Sequence, residues 1–200
     1  MMGIRAVALA GGLFLASALA RAAAIAVEAH DVAGTSIKEV RAELVIEAPP
    51  ARVFEVLLDW KQFVQFMPYL AEVRLVDVPG SGAQWYLYQR VATGFFLVAD
   101  RDYTLRHRKI EDPQRGRFEL HWEAANDKGP APQAGVVRVK LCTGSYVVEG
   151  EDSGRRARLT YRLHTDPDLP AWLANQANRL SVPALLDAIA HRSVDPSWTR

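Results

Sequence analysis

Five histidines, one cysteine and scattered carboxylates are the residues of this chain suited to chemistry, and their spacing excludes most of it. His30, His107, His121, His164 and His191 offer no pair at the helical spacing of metal ligands, and the lone Cys142 cannot complete a thiolate site. Ser145 lies inside a strand pattern, Thr143-Gly144-Ser145-Tyr146, not at the strand-to-helix turn that exposes a nucleophilic serine. No phosphate-binding loop or dinucleotide fingerprint is present. Acidic residues are plentiful, but none is singled out as an acid–base pair. Glu119 and Glu123 fall on a charged strand face when Trp122 points inward. Cys142, in a β-rich run, reads as a small buried hydrophobe, and no internal disulfide can form. The expectation is no catalytic residue, no metal and no cofactor.

What remains are apolar strand faces, which either fill a core or serve recognition of an apolar molecule. That chemistry needs a concave apolar wall with a few polar groups to orient one end of the ligand. Period-two counting supplies such a wall. Leu105, Leu120, Val139, Leu141, Leu159 and Leu163 fall on apolar strand faces, opposite charged ones. Tyr103 shares the face of Leu105 and His107. Trp122, Tyr161 and Trp172 add large rings, each with a polar handle. Tyr88 and His107 are the candidates for the polar end. A buried tyrosine or histidine needs a partner, which is a ligand hydroxyl or carboxylate in one reading and the backbone or water in the other. Asn175 and Asn178 are three apart and share a helix face, to line the mouth or cap the helix. Core filling is the alternative use of every apolar residue named.

The elements that must position these residues follow from pattern. Ser36 to Glu47 alternates as a half-buried strand, stopped by Ala48-Pro49-Pro50. Proline then opens a helix with Val53, Phe54, Val56, Leu57 and Trp60 at helical spacing, and a short helical piece, Lys61 to Phe66, ends at Met67-Pro68. Strands are predicted over Glu72–Val78, Gln84–Ala92, Asp102–Ile110, Arg117–Glu123, Val136–Val148 and Ala157–Thr165, with turn signals between them. Short sequential strands joined by tight turns favour an antiparallel sheet. A last helix starts at Asp168-Leu169-Pro170, with Pro183 expected to kink it, and the tail from Ser193 to Arg200 is expected to fray. The apolar connection Thr93-Gly94-Phe95-Phe96-Leu97-Val98 reads either as a strand or as a lid that touches a membrane.

Composition bounds the partners. The chain has 200 residues, of which 50% are hydrophobic, and 24 basic residues face 23 acidic ones. This near-neutral balance speaks against a nucleic-acid binder, which needs a basic excess to neutralise phosphates. The short stretches Arg106-His107-Arg108-Lys109 and Arg155-Arg156-Ala157-Arg158 read as solvated strand ends, or as a patch for an anionic membrane. At the N-terminus, Arg5 precedes an apolar run from Ala6 to Ala20, followed by Ala22-Ala23-Ala24. This is the pattern of a secretory signal peptide, too short for a spanning helix. The expected organisation is a signal peptide over 1–24, a linker over 25–35, one domain over 36–192 and a tail over 193–200, with the mature protein exported and monomeric.

Three segments resemble a known family. Ala48-Pro-Pro-Ala-Arg-Val-Phe-Glu-Val-Leu-Leu-Asp-Trp60, continuing to Met67-Pro68, resembles the first helical segment of START domains and their polyketide-cyclase and coenzyme-Q-binding relatives in the SRPBCC superfamily. Arg101-Asp102-Tyr103 resembles the opening of a central START strand. Asp166-Pro167-Asp168-Leu169-Pro170-Ala171-Trp172-Leu173-Ala174-Asn175 resembles the approach to the START C-terminal helix. The resemblance implies an α+β helix-grip fold, a curved antiparallel β-sheet wrapped around a long C-terminal α-helix. It also implies a cavity that takes one lipid or other hydrophobic ligand, transient membrane contact and no catalysis. The same fold carries cyclase–aromatase enzymes and quinone-binding chaperones, which are the alternatives. The buried acid–arginine pair of sterol-carrying members is not matched: His107 stands six residues after Arg101, and no carboxylate stands near Tyr88. Sterol specificity is therefore not implied.

Overall fold

A computed structural model describes residues 25–92 and 98–199. The expected signal peptide and the segment Thr93 to Leu97, the core of the expected strand or lid, lie outside the described residues.

The chain forms β1 (Val27–His30), β2 (Glu39–Ile46), α1 (Pro50–Leu58), a 3-10 turn (Trp60–Gln62), α2 (Phe63–Phe66), β3 (Leu70–Val76), β4 (Trp85–Val91), β5 (Asp100–Asp112), β6 (Arg117–Ala124), β7 (Val136–Arg138), β8 (Leu141–Glu151), β9 (Arg156–Asp166) and α3 (Ala171–Val194). Eight strands lie in the order β1-β2-β9-β8-β6-β5-β4-β3, all antiparallel. β7 adds in parallel beside the start of β5, where β6 has already ended. The helices grip one face of this sheet, the helix-grip α+β architecture.

Pro50 opens α1 with its fixed φ at no cost in hydrogen bonds, and Val53, Phe54, Val56 and Leu57 bury its apolar side. α1 packs on α3 and on β6, β8 and β9. α3 runs continuously through Pro183. The proline leaves the carbonyl one turn earlier without its helical donor. Past Pro183, Leu186 and Ile189 are fully buried in the core, joined by Val182 just before it. The preceding turns instead face the cavity described below.

Three features depart from the sequence reading. The expected linker contains a strand, β1, paired with β2. The tail, expected to fray from Ser193 onward, is docked. Trp198 is buried, its indole Nε1 donates to Asp59 Oδ2 at 3.1 Å, and the Arg52 guanidinium lies 4.1 Å from its ring. Arg52 also donates to the carbonyls of Asp195 and Trp198, both at 2.8 Å. Third, the run Val136–Val148 is not one strand. The ladder breaks at Val139-Lys140, because Val139 N is held by the Asp102 carbonyl at 2.9 Å and its own carbonyl by Asn126 Nδ2 at 2.7 Å.

The outer sheet face is laced with ion pairs. Arg158 meets Glu43 and Glu151, Arg162 meets Glu39, Arg106 meets Glu123 and Arg156 meets Glu47. The short basic stretches thus sit largely among cross-strand acids, where each exposed pair contributes little to stability.

Gly144 on β8 is required by close approach. A Cβ there would collide with the Trp122 ring and the Arg162 carbonyl. Gly144→Ala is expected to cost about 1–3 kcal/mol, since the cross-strand ring has to move. A urea unfolding midpoint unchanged from wild type would contradict this.

Candidate functional site: an apolar cavity

Between the concave sheet face, the α1–α2 segment and the first turns of α3 lies a cavity of about 620 Å³. Each wall follows from local pattern. From the sheet, β5 contributes alternate residues Arg101, Tyr103, Leu105 and His107, and β6 contributes Leu120 and Trp122. Tyr161 and Leu163 come from β9. Leu57, Trp60, Phe63 and Met67 form the roof from the α1–α2 segment. From α3 come Leu173, Ala177, Asn178, Leu180 and Ser181.

The structure therefore brings Tyr103, Leu105, His107, Leu120, Trp122, Val139, Tyr161, Leu163 and Asn178 to one lining. Five expected lining residues are corrected. Tyr88 lies on the other face of the sheet. The lining parity of β4 is Trp85, Leu87, Gln89 and Val91, so Tyr88 points away and donates to Asp102 Oδ2 at 3.1 Å. Leu141 is off the lining because of the strand break. Val139 and Cys142 both face the cavity although three residues apart, so period-two counting reverses between them. Trp172 is 71% exposed, one residue and therefore about 100° around the helix from the lining residue Leu173. Asn175 is a hook, not a lining group. Its Oδ1 accepts from Lys38 N at 2.9 Å and its Nδ2 donates to Ser36 O at 3.1 Å, tying α3 to the approach to β2. Leu159, counted as lining by its parity, is fully buried in the core.

The polar groups of the lining are few. His107 stacks on Trp85 with ring centroids 5.5 Å apart and lies 3.2 Å from the Leu105 carbonyl through Nδ1. A carbonyl only accepts, so Nδ1 carries the proton and Nε2 keeps its lone pair. Burial drives the imidazole pKa down to about 4, against a smaller upward pull from that carbonyl. His107 is thus neutral at physiological pH. Trp122, Tyr146 and Tyr161 form a contiguous aromatic wall, with centroids 5.0–6.0 Å apart. Burial pushes the phenols of Tyr103, Tyr146 and Tyr161 above their ordinary range, and pushes the Cys142 thiol up to about 11. These groups are neutral donors, and Cys142 is not an activated nucleophile. Asn178 Nδ2 is engaged by the Thr165 carbonyl at 2.9 Å. Among the described residues, no group of three or more His, Cys, Asp or Glu side chains is placed to hold a metal ion.

Sequence reasoning missed the α1–α2 roof, Trp85, Leu87, Cys142, Tyr146 and Arg101. Arg101 was findable, since it shares the period-two face of Tyr103, Leu105 and His107. The rim carries exposed apolar side chains: Tyr69 at 54%, Leu180 at 66%, with Leu173 and Val98 less so. Tyr69 also holds a left-handed backbone, φ 64°, which a bulky residue adopts only at a cost.

The comparisons agree with this geometry. The STAR-related lipid transfer protein of Xanthomonas axonopodis superposes with a TM-score of 0.74 at 26% identity, over 86% of this chain and 94% of that one. Human StAR-related lipid transfer protein 5 superposes with a TM-score of 0.73 at 12% identity, over 85% and 82%. The Zhui aromatase/cyclase of Streptomyces sp. R1128 gives a TM-score of 0.50 at 16% identity, over 78% and 92%. The last two likenesses speak for the fold. No curated protein sequence matches the chain. The sequence profile described as polyketide cyclase/dehydrase and lipid transport matches residues 46–190. With that match over most of its length, and with a START-type helix-grip fold around a cavity, this chain belongs to the polyketide cyclase/dehydrase and lipid transport family.

Proposed function

We propose that this protein binds and carries one lipid or other hydrophobic small molecule, and does not transform it. The observation that carries the reading is the cavity, whose volume of about 620 Å³ falls in the range of small-molecule sites, about 300–1,000 Å³. Its lining is dominated by aliphatic and aromatic side chains. Against catalysis stands the chemistry of the wall. No lining residue among those described is an acid, His107 is neutral and tied to the backbone, and the phenols and thiol are held protonated. A cyclase or aromatase needs a group that moves a proton near neutral pH, and His107 is a weak base for it.

The exposed apolar rim of Tyr69, Val98, Leu173 and Leu180 supports transient docking to a membrane during exchange. The basic–apolar–small N-terminal pattern supports export, with the mature monomer acting outside the cytoplasm. Native mass spectrometry of protein purified gently from its own host, followed by organic extraction, tests the reading. A stoichiometric hydrophobic adduct is expected, and its identity separates an acyl lipid from a quinone. A clean apo mass with no uptake from a lipid panel would overturn it. Leu163→Trp fills the cavity from β9 and is expected to reduce uptake about tenfold or more, with the unfolding midpoint nearly unchanged. Full uptake by that variant would place the ligand elsewhere.

A further inference from the structure

Among the described residues, the cavity lining contains one buried cation and no anion. Arg101 is 7% exposed and lines the cavity from the start of β5. Its guanidinium is met by neutral groups. Nε donates to the Pro167 carbonyl at 3.2 Å, and Nη1 donates to the Ala99 carbonyl. The fork has more N–H donors than these bonds use. Among the described residues no ion pair joins Arg101 to a carboxylate, and the acids flanking it in the chain are committed elsewhere. Asp100 pairs with Arg90 at 2.6 Å. Asp102 points to the opposite face of the sheet and pairs with Arg138 at 2.6 Å. Asp166 Oδ1 accepts from Asp168 N at 2.9 Å.

A guanidinium taken out of water without a countercharge is costly, and two carbonyl contacts compensate only part of that cost. We propose that Arg101 is the anchor for a single anionic head group, a carboxylate or a phosphate, of the amphiphile that occupies the cavity. The inference rests on the carrier reading and narrows its ligand to anionic amphiphiles. A planar fork facing a carboxylate or phosphate makes paired, charge-assisted hydrogen bonds, the strongest that a neutral wall leaves available. Placement fits the task. Arg101 is tied to Pro167 near the start of β5, while His107, also on the lining, lies six residues along the same strand, about 20 Å away at the strand rise. That far end is neutral and walled by Trp85, Leu105 and Leu120, so it receives the apolar tail and does not compete for the charge. Between the ends, the phenol hydroxyls of Tyr103, Tyr146 and Tyr161 offer donors to ester or ketone oxygens.

The test compares ligands that share a tail and differ in whether the head group is anionic. Binding of palmitate against methyl palmitate, and of oleoyl lysophosphatidate against monoolein, is measured on the full mature chain by displacement of a fluorescent lipid. Wild type is expected to favour at least one anion over its uncharged partner by about tenfold or more, and the favoured pair names carboxylate or phosphate. Arg101→Gln is expected to erase that preference while binding the uncharged partner within about twofold of wild type, which also certifies an intact cavity. Arg101→Lys is expected to keep part of the preference, since the charge remains and the fork is lost. Equal affinity for charged and uncharged partners in wild type, a measurement that needs no variant to fold, overturns the anchor and leaves the carrier reading standing. Preference retained in Arg101→Gln likewise overturns it. Failure of all four probes to bind overturns the carrier reading itself.

Discussion

Asp102→Ala is expected to destabilise the protein by about 3–5 kcal/mol, the cost of leaving a largely buried cation without its partner. Asp102 is fully buried on the back of β5, opposite the cavity. Its Oδ1 takes Arg138 Nε at 2.6 Å, and its Oδ2 takes Arg138 Nη2 at 3.0 Å and the Tyr88 hydroxyl at 3.1 Å. Tyr88 in turn accepts from Gln133 Nε2 at 3.1 Å and has the Arg74 guanidinium 4.6 Å from its ring centre. Burial first, and the Asp102 charge next, push the Tyr88 phenol up to about 12, so it donates at all physiological pH. Arg138 also reaches the Pro130 carbonyl at 3.2 Å, which pins residues 125–135 over the back of the sheet. Removing the carboxylate strands a largely buried cation and a buried hydroxyl together. The double variant Asp102→Ala/Arg138→Met removes both charges and is expected to recover most of the loss. Urea unfolding of the single and double variants decides the matter. A single-variant loss below about 1 kcal/mol, or no recovery in the double, would show that the pair is not what holds this loop.

How far the sequence was readable follows the same division. Strands with one apolar and one charged face were legible by counting. Phe118, Leu120 and Trp122 of β6, and Tyr161 and Leu163 of β9, all point as period two requires. β4 was not legible, because Trp85-Tyr86-Leu87-Tyr88 is apolar on both faces. Its parity shows only in tertiary partners, among them Asp102, fourteen residues away, and Gln133 and Arg74 around Tyr88. Leu141 failed for a related reason. Counting is valid within one ladder, and Val136–Val148 belongs to two, one pairing with β5 and the other with β6 and β9. The docked tail was invisible because its stability comes from Arg52 and Asp59, far away in sequence, and not from any local pattern. The roof over α1–α2 shows the converse. Its apolar spacing was plain, but spacing cannot tell a helix side that packs on the core from one that faces a void.

Acidification from pH 7 to 4 is expected to remove about 3 kcal/mol of stability through His107 alone. The ordinary imidazole value is 6.5, and burial among Trp85, Leu105 and the cavity wall lowers it to about 4 in the folded chain. Between these values the unfolded chain takes up a proton that the folded chain refuses. Where the unfolded state binds more protons, stability rises with pH. The contribution is therefore complete above about pH 6.5 and is lost as pH falls toward 4, at about 1.4 kcal/mol per unit. Carboxylates add their own loss lower down. Burial works against the charge on Glu39 and Glu119. It is outweighed for Glu39 by Arg162 and Arg41, and for Glu119 by His121 and Arg117, so both are held below their ordinary range and stabilise the fold only while ionised. Wild type alone would mix these effects. The informative quantity is the difference between wild type and His107→Gln, which keeps a donor for the Leu105 carbonyl and cannot titrate. That difference is expected to change by about 3 kcal/mol across pH 6.5 to 4, wild type losing more, and to be flat above pH 7. A flat difference across the whole range would mean that water entering the cavity hydrates His107 enough to restore its ordinary titration.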